Sequence, residues 1–215
     1  VTHSLHREGT IDSLERDFAI FIYPARGFNY KGSGPKVRHL MELLYLSEPA
    51  NMIVTTLRKN LYSGVGHDEV LQSIKDGARV YSVFNTREKL KSALVRLKEA
   101  DEGISVVVSG LVDRVREITR EIGLNPHTIN LSLGVHGRTD RLPPPDIRQF
   151  TTMCGHGMVS PGLVRDVIRR IKIGKLNTWE GSLILAGPCT CGIYNPYRSQ
   201  EMLKELVPLY TVRRW

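Results

Sequence analysis

Between residues 17 and 135, short apolar runs of strand length alternate with longer stretches whose apolar residues recur every three or four positions. Such a chain can bury both kinds of face only by laying helices on a sheet. An α/β layer fold with a parallel or mixed sheet is therefore expected. Strands are predicted over 18–23, 52–57, 79–84, 104–108 and 128–135. Between them, Val37, Leu40, Met41 and Leu44 mark one helix, and Val70, Leu71 and Ile74 a second. Leu90, Ala93, Leu94 and Leu97 mark a third, and Leu111, Val112, Val115, Ile118 and Ile122 a fourth. Asn85, with Glu88 behind it, reads as the cap of the third helix. Periodicity does not encode strand order, so a doubly wound sheet and a ferredoxin-like split βαβ arrangement both satisfy the pattern.

Three consecutive prolines, Pro143 to Pro145, break the alternation. Beyond them the pattern turns helical, with starts at Pro161, Thr178 and Pro196 and no strand-like run. The expected organisation is an α/β domain over 1–140, then a small helical module over 146–215. With 41% hydrophobic residues in 215, the chain can bury a sizeable core. No apolar run has the length of a membrane span and no signal-peptide pattern opens the chain, so a cytoplasmic protein is expected. The chain starts at Val1 rather than methionine, which leaves room for an upstream residue or segment.

The three cysteines lie in that helical module, in two glycine-containing segments: Thr152-Met153-Cys154-Gly155-His156-Gly157-Met158 and Gly187-Pro188-Cys189-Thr190-Cys191-Gly192. Each segment stands just ahead of a predicted helix start, where unpaired N–H groups and the positive dipole end favour thiolate. A cytoplasmic chain rarely keeps disulfides, so a shared reactive or metal-binding site is the expectation. The favoured reading is a [4Fe–4S] cluster on Cys154, Cys189 and Cys191. Three ligands leave one iron open as a Lewis acid for a non-redox reaction such as elimination, hydration or desulfuration. His156 is then the candidate acid/base, and Arg138 a carboxylate clamp. Zinc held by Cys154, His156, Cys189 and Cys191 is an alternative. So is a set of buried, inert thiols. A zinc- or cluster-stabilised sensor with a basic surface is a further function class.

The run Met153-Cys154-Gly155-His156-Gly157 resembles the active-site motif of the proline racemase family, and Pro188-Cys189 is similar to that family's second cysteine turn. The resemblance implies metal-free chemistry. Cys154 and Cys189 would remove and return a substrate α-proton while backbone N–H groups hold a carboxylate. It covers fewer than a dozen residues and assigns no role to Cys191.

Other polar groups are weaker candidates. His136 and Arg138 follow the predicted strand 128–135, where α/β folds collect ligands. His127, Asn130 and Ser132 lie along the same run, and His3 and His6 near the chain start. The turn from Gly27 to Gly34, with Lys31, Lys36 and Arg38, could meet an anion, although its spacing matches neither common phosphate-binding motif. A net charge of +8 points to a small anionic substrate. The densest basic group, Arg165, Arg169, Arg170 and Lys172, lies on a helix, and Arg213 and Arg214 end the chain. No nucleic-acid-binding motif is present, so nucleic acid is not expected as a partner. Homo-oligomerisation stays open.

Overall fold

A computed structural model describes residues 5–54 and 56–211. His3, Arg213 and Arg214 lie outside the described residues. The elements that build the sheet layer are β1 (Phe18–Tyr23), α2 (Ser33–Tyr45), β2 (Asn51–Val54), α3 (His67–Gln72), β3 (Val80–Phe84), α4 (Arg87–Ala100), β4 (Ser105–Ser109) and α5 (Val112–Glu121), after a single turn α1 (Ile11–Leu14). Helices α6 (Pro145–Thr151), α7 (Pro161–Lys172), α8 (Thr178–Ala186) and α9 (Pro196–Leu209) complete the chain.

The fold is mixed α/β, but the sheet is antiparallel rather than parallel. Its strand order is β2-β3-β1-β4, and every neighbouring pair runs antiparallel. Strands β1 and β2, joined through α2, are parallel with β3 slotted between them. Strands β3 and β4, joined through α4, are parallel with β1 between them. These are two interleaved split βαβ units, one of the two arrangements compatible with the periodicity.

The predicted fifth strand is absent. Residues 124–138 carry no regular structure, and Ile129, Leu131, Leu133 and Val135 are exposed. The alternation there is genuine, but no backbone ladder receives it. The cap of α4 is Thr86 rather than Asn85; its side chain accepts from Lys89 N.

β1 explains why this sheet is buried on both faces. Its sequence, Phe18-Ala19-Ile20-Phe21-Ile22, is apolar at successive positions, so neither face can be left to water. Phe18, Ile20 and Ile22 point into a core shared with Val37, Leu40, Met41 and Leu44 of α2 and Leu90, Ala93, Leu94 and Leu97 of α4. Ala19 and Phe21, with Ile53 and Tyr81, point the other way, into a core shared with Phe150, Val164, Val167, Leu185, Leu203 and all three cysteines. Side chains of this size contribute roughly 1.5–3 kcal/mol each when fully buried. The second face of the sheet is thus the floor on which the cysteine-bearing helices sit. Gly181 lets α8 approach α7 closely: a Cβ there would lie 2.7 Å from Ile171 and 2.8 Å from Val167.

Candidate functional site

Cys154 follows the end of α6, and Cys189 and Cys191 follow α8. The two segments converge on the sheet floor. All three residues are buried, at 1%, 0% and 5% exposure, and all three are free thiols. Cys154 and Cys189 belong to one buried cluster, near enough that each is a leading influence on the other's ionisation. Cys191 Sγ lies 3.1 Å from Nδ1 of His156, whose ring stands at the protein surface.

The three thiols are electrostatically unlike. The hydrogen bond from Cys189 draws the Cys154 thiol down to about 6. Burial opposes this, while the N–H groups of Met158 and His156 and the nearby imidazole assist it. Cys189 moves the opposite way, well above the usual thiol range. Its proton is held by Cys154, it is buried, and the negative charges of its neighbours disfavour a second thiolate. Burial, followed by the Cys154 charge, pushes Cys191 up to about 11. Cys154 is thereby the sulfur drawn toward thiolate, while Cys189 and Cys191 are pushed toward keeping their protons.

Long-range contacts hold the two segments together. The buried guanidinium of Arg7 donates to the carbonyls of Met153 and Ile193, tying the Cys154 segment to the Cys191 segment. Arg7 is anchored in turn by Asp17, which also pairs with Arg198 at 2.7 Å. Asn60 Nδ2 donates to the carbonyls of Ala186 and Cys189, at 3.0 and 3.3 Å, and Asn51 Nδ2 to that of Tyr194 at 3.0 Å. Gly192 presses against β2 with φ of 64°; a Cβ there would lie 2.5 Å from the carbonyl carbon of Met52. None of Arg7, Asp17, Asn51, Asn60 or Arg198 shows a local motif, because each makes at least one of these contacts across more than a hundred residues of chain. Gly192, by contrast, stands in the glycine-containing cysteine segment that the sequence singles out.

Most of the other candidates have partners away from the cysteines. His136 Nε2 contacts the Leu133 carbonyl at 2.8 Å, and Arg138 makes a two-pronged pair with Asp140 at 2.9 and 2.7 Å. These are local contacts on an exposed segment and none of them reaches a cysteine. His127 contacts Thr128, and Ser132 contacts His6. In the turn ahead of α2, the Asp76 carboxylate accepts from Gly32 N and Gly34 N, both at 2.7 Å, so the protein supplies its own anion there. Lys36 and Arg38 donate to the carbonyls of Glu102 and Leu71. On α7, Arg169 pairs with Asp166, and Lys172 donates to the carbonyls of Val207 and Pro208.

Three thiols and an imidazole are chemically suited to a thiophilic metal. As placed, however, no group of three or more His, Cys, Asp or Glu side chains among the described residues is arranged to hold a metal ion. No helix among the described residues is long and apolar enough to cross a membrane. No protein-family model, curated protein or solved structure matches the chain.

Proposed function

We propose that the chain is a cysteine-dependent acid/base enzyme that moves a proton on a carbon next to the carboxylate of a small substrate. The observation that carries this reading is the buried neighbouring pair, in which the surroundings draw Cys154 toward thiolate and hold Cys189 as a thiol. Neighbouring groups whose environments drive their pKa values apart are suited to opposite roles in proton transfer. Cys154 Sγ takes the proton from one face of the substrate and becomes a thiol. Cys189 gives its proton to the other face, or to a leaving group, and becomes the thiolate. The resting state returns when the proton passes back between the two sulfurs. The local resemblance of residues 153–157 to the proline racemase motif agrees with this assignment.

Entry is the structural requirement. Both sulfurs are buried, and the exposed turn at 156–158, whose His156 and Met158 N–H groups act on Cys154, contains Gly157 with φ of 69°. Movement of this turn would admit a substrate and free the N–H groups of His156 and Met158 for its carboxylate. His156, exposed at one edge and touching Cys191 at the other, offers the buried thiols a route to solvent. The net charge of +8 suits an anionic substrate, and the cytoplasm is the compartment that keeps the thiols reduced.

A [4Fe–4S] cluster on Cys154, Cys189 and Cys191 is the second reading. It is favoured by the N–H groups directed at two of the three sulfurs, from His156 and Met158 to Cys154 and from Tyr194 to Cys189. One experiment separates the readings. The protein is purified anaerobically, analysed for metal and sulfide, then incubated in D₂O with a panel of small 2-amino and 2-hydroxy acids while NMR follows loss of the α-proton signal. Proton exchange by metal-free protein, abolished in both Cys154→Ser and Cys189→Ser, is expected. Stoichiometric iron and sulfide lost on replacing any one of the three cysteines would overturn the acid/base reading in favour of the cluster.

A further inference from the structure

We propose that residues 128–135 form a strand that pairs with the free edge of β4 in a second copy of the chain, giving a reciprocal dimer. The inference is independent of the chemistry at the cysteines.

Two unfinished features on one molecule lead to it. The first is a strand without a sheet. Residues 128–135 alternate polar and apolar positions, with Ile129, Leu131, Leu133 and Val135 on one face. Those four are 45, 68, 90 and 52% exposed. A period of two is how a sequence buries one side of a strand, and this chain buries neither. The second is a sheet edge without a strand. β4 pairs with β1 on one side only, and Ser105 and Val106 are exposed. Beside it runs an apolar groove of about 500 Å³, lined by Leu94, Leu97, Val106, Val108 and Val115.

Soluble proteins usually guard such an edge with a charge, a proline or a bulge. Neither β4 (Ser-Val-Val-Val-Ser) nor 128–135 (Thr-Ile-Asn-Leu-Ser-Leu-Gly-Val) contains a charged residue or a proline. Nothing on either element opposes pairing. Within one chain, residues 125–130 border the groove, after which the segment leaves it and Leu133 stands in water. No backbone hydrogen bond joins it to β4 among the described residues. In a two-fold dimer each copy donates its segment and accepts the other's. Both apolar faces are then covered and the assembly closes at two copies instead of growing as a fibre.

Sedimentation equilibrium of the full chain over a concentration series tests the proposal. The wild type is expected to be dimeric. Leu133→Asp, which damages the donated strand, and Val106→Lys, which damages the accepting edge, should each weaken the dimer at least about tenfold. Both positions are exposed, so the helical circular dichroism signal should be unchanged. If Val106→Lys lowers the helical signal, Ser105→Lys at the exposed start of β4 replaces it. Mixing the two variants should restore a dimer, because the pair retains one intact strand and one intact edge. A wild type that stays monomeric throughout, a dimer that survives both substitutions, or a mixture that forms no heterodimer would each overturn the proposal.

Discussion

Replacing Cys189 by alanine removes the group that does most to lower the pKa of Cys154. A hydrogen bond to an ionised group contributes about 1.5–3 kcal/mol, and 1.36 kcal/mol corresponds to one pKa unit. Without the Cys189 S–H, Cys154 should therefore titrate about one to two units higher, moving from about 6 to roughly 7–8. Cys189 is held as a neutral thiol, so deleting it removes no charge repulsion that would offset the loss. The assay is the rate of alkylation of Cys154 by iodoacetamide against pH, with the modified residue identified by mass spectrometry. Near pH 6 the thiolate fraction should fall from about half to between roughly one-tenth and one-hundredth, slowing the reaction about five- to fiftyfold. At pH 9 wild type and variant should react at similar rates, since both are then ionised. Cys189→Ser, which keeps a donor, should titrate between the two. An unchanged midpoint in Cys189→Ala would refute the pairing, and with it the division of roles between the sulfurs.

Two further substitutions probe the scaffold. Gly192→Ala combines a left-handed backbone with a Cβ driven into the β2 backbone, so it should destabilise by about 2–4 kcal/mol in urea unfolding; a loss below about 0.5 kcal/mol would mean that the segment moves aside freely. Asp17→Asn leaves Arg7 and Arg198 buried beside a neutral partner and should cost about 3–5 kcal/mol. Burial raises the Asp17 pKa, but Arg7 and Arg198 outweigh it and hold the carboxyl below its ordinary 3.8. The stability Asp17 contributes is therefore complete above the usual carboxylate range and is lost as pH falls through the lower, folded-state value, so the gap between wild type and variant should narrow in strong acid.

Much of the local structure was legible because it depends on nearest neighbours. Leu90, Ala93, Leu94 and Leu97 can share a face only on a helix, and the five apolar residues from Phe18 to Ile22 need cover on both sides of a strand. The same reasoning misread residues 128–135. Alternation reports that a segment is fit to pair, and the pairing partner is a separate matter. It also pointed to a parallel or mixed sheet, since a helix between two strands makes them parallel to each other, and it did not show that a third strand slips between them to give antiparallel neighbours. The cysteines stood out through their confinement to two glycine-containing turns. Arg138 and His136 suggested a substrate clamp by their place after a supposed strand, and with the strand gone they remain at the surface, bound to neighbours.

The sequence alone determined where the longer helices lie, which apolar faces must be hidden, and that the thiols belong to a single stretch of chain. Those properties follow from spacing of a few residues and from side-chain chemistry. Only the tertiary structure decided that β3 lies between β1 and β2, that Cys154 meets Cys189 while Cys191 meets His156, and that Arg7 clamps both cysteine segments. Each of these joins groups far apart along the chain. What brings them together is the burial of the two faces of β1, and the ionisation of Cys154 follows from the neighbours that burial assembles.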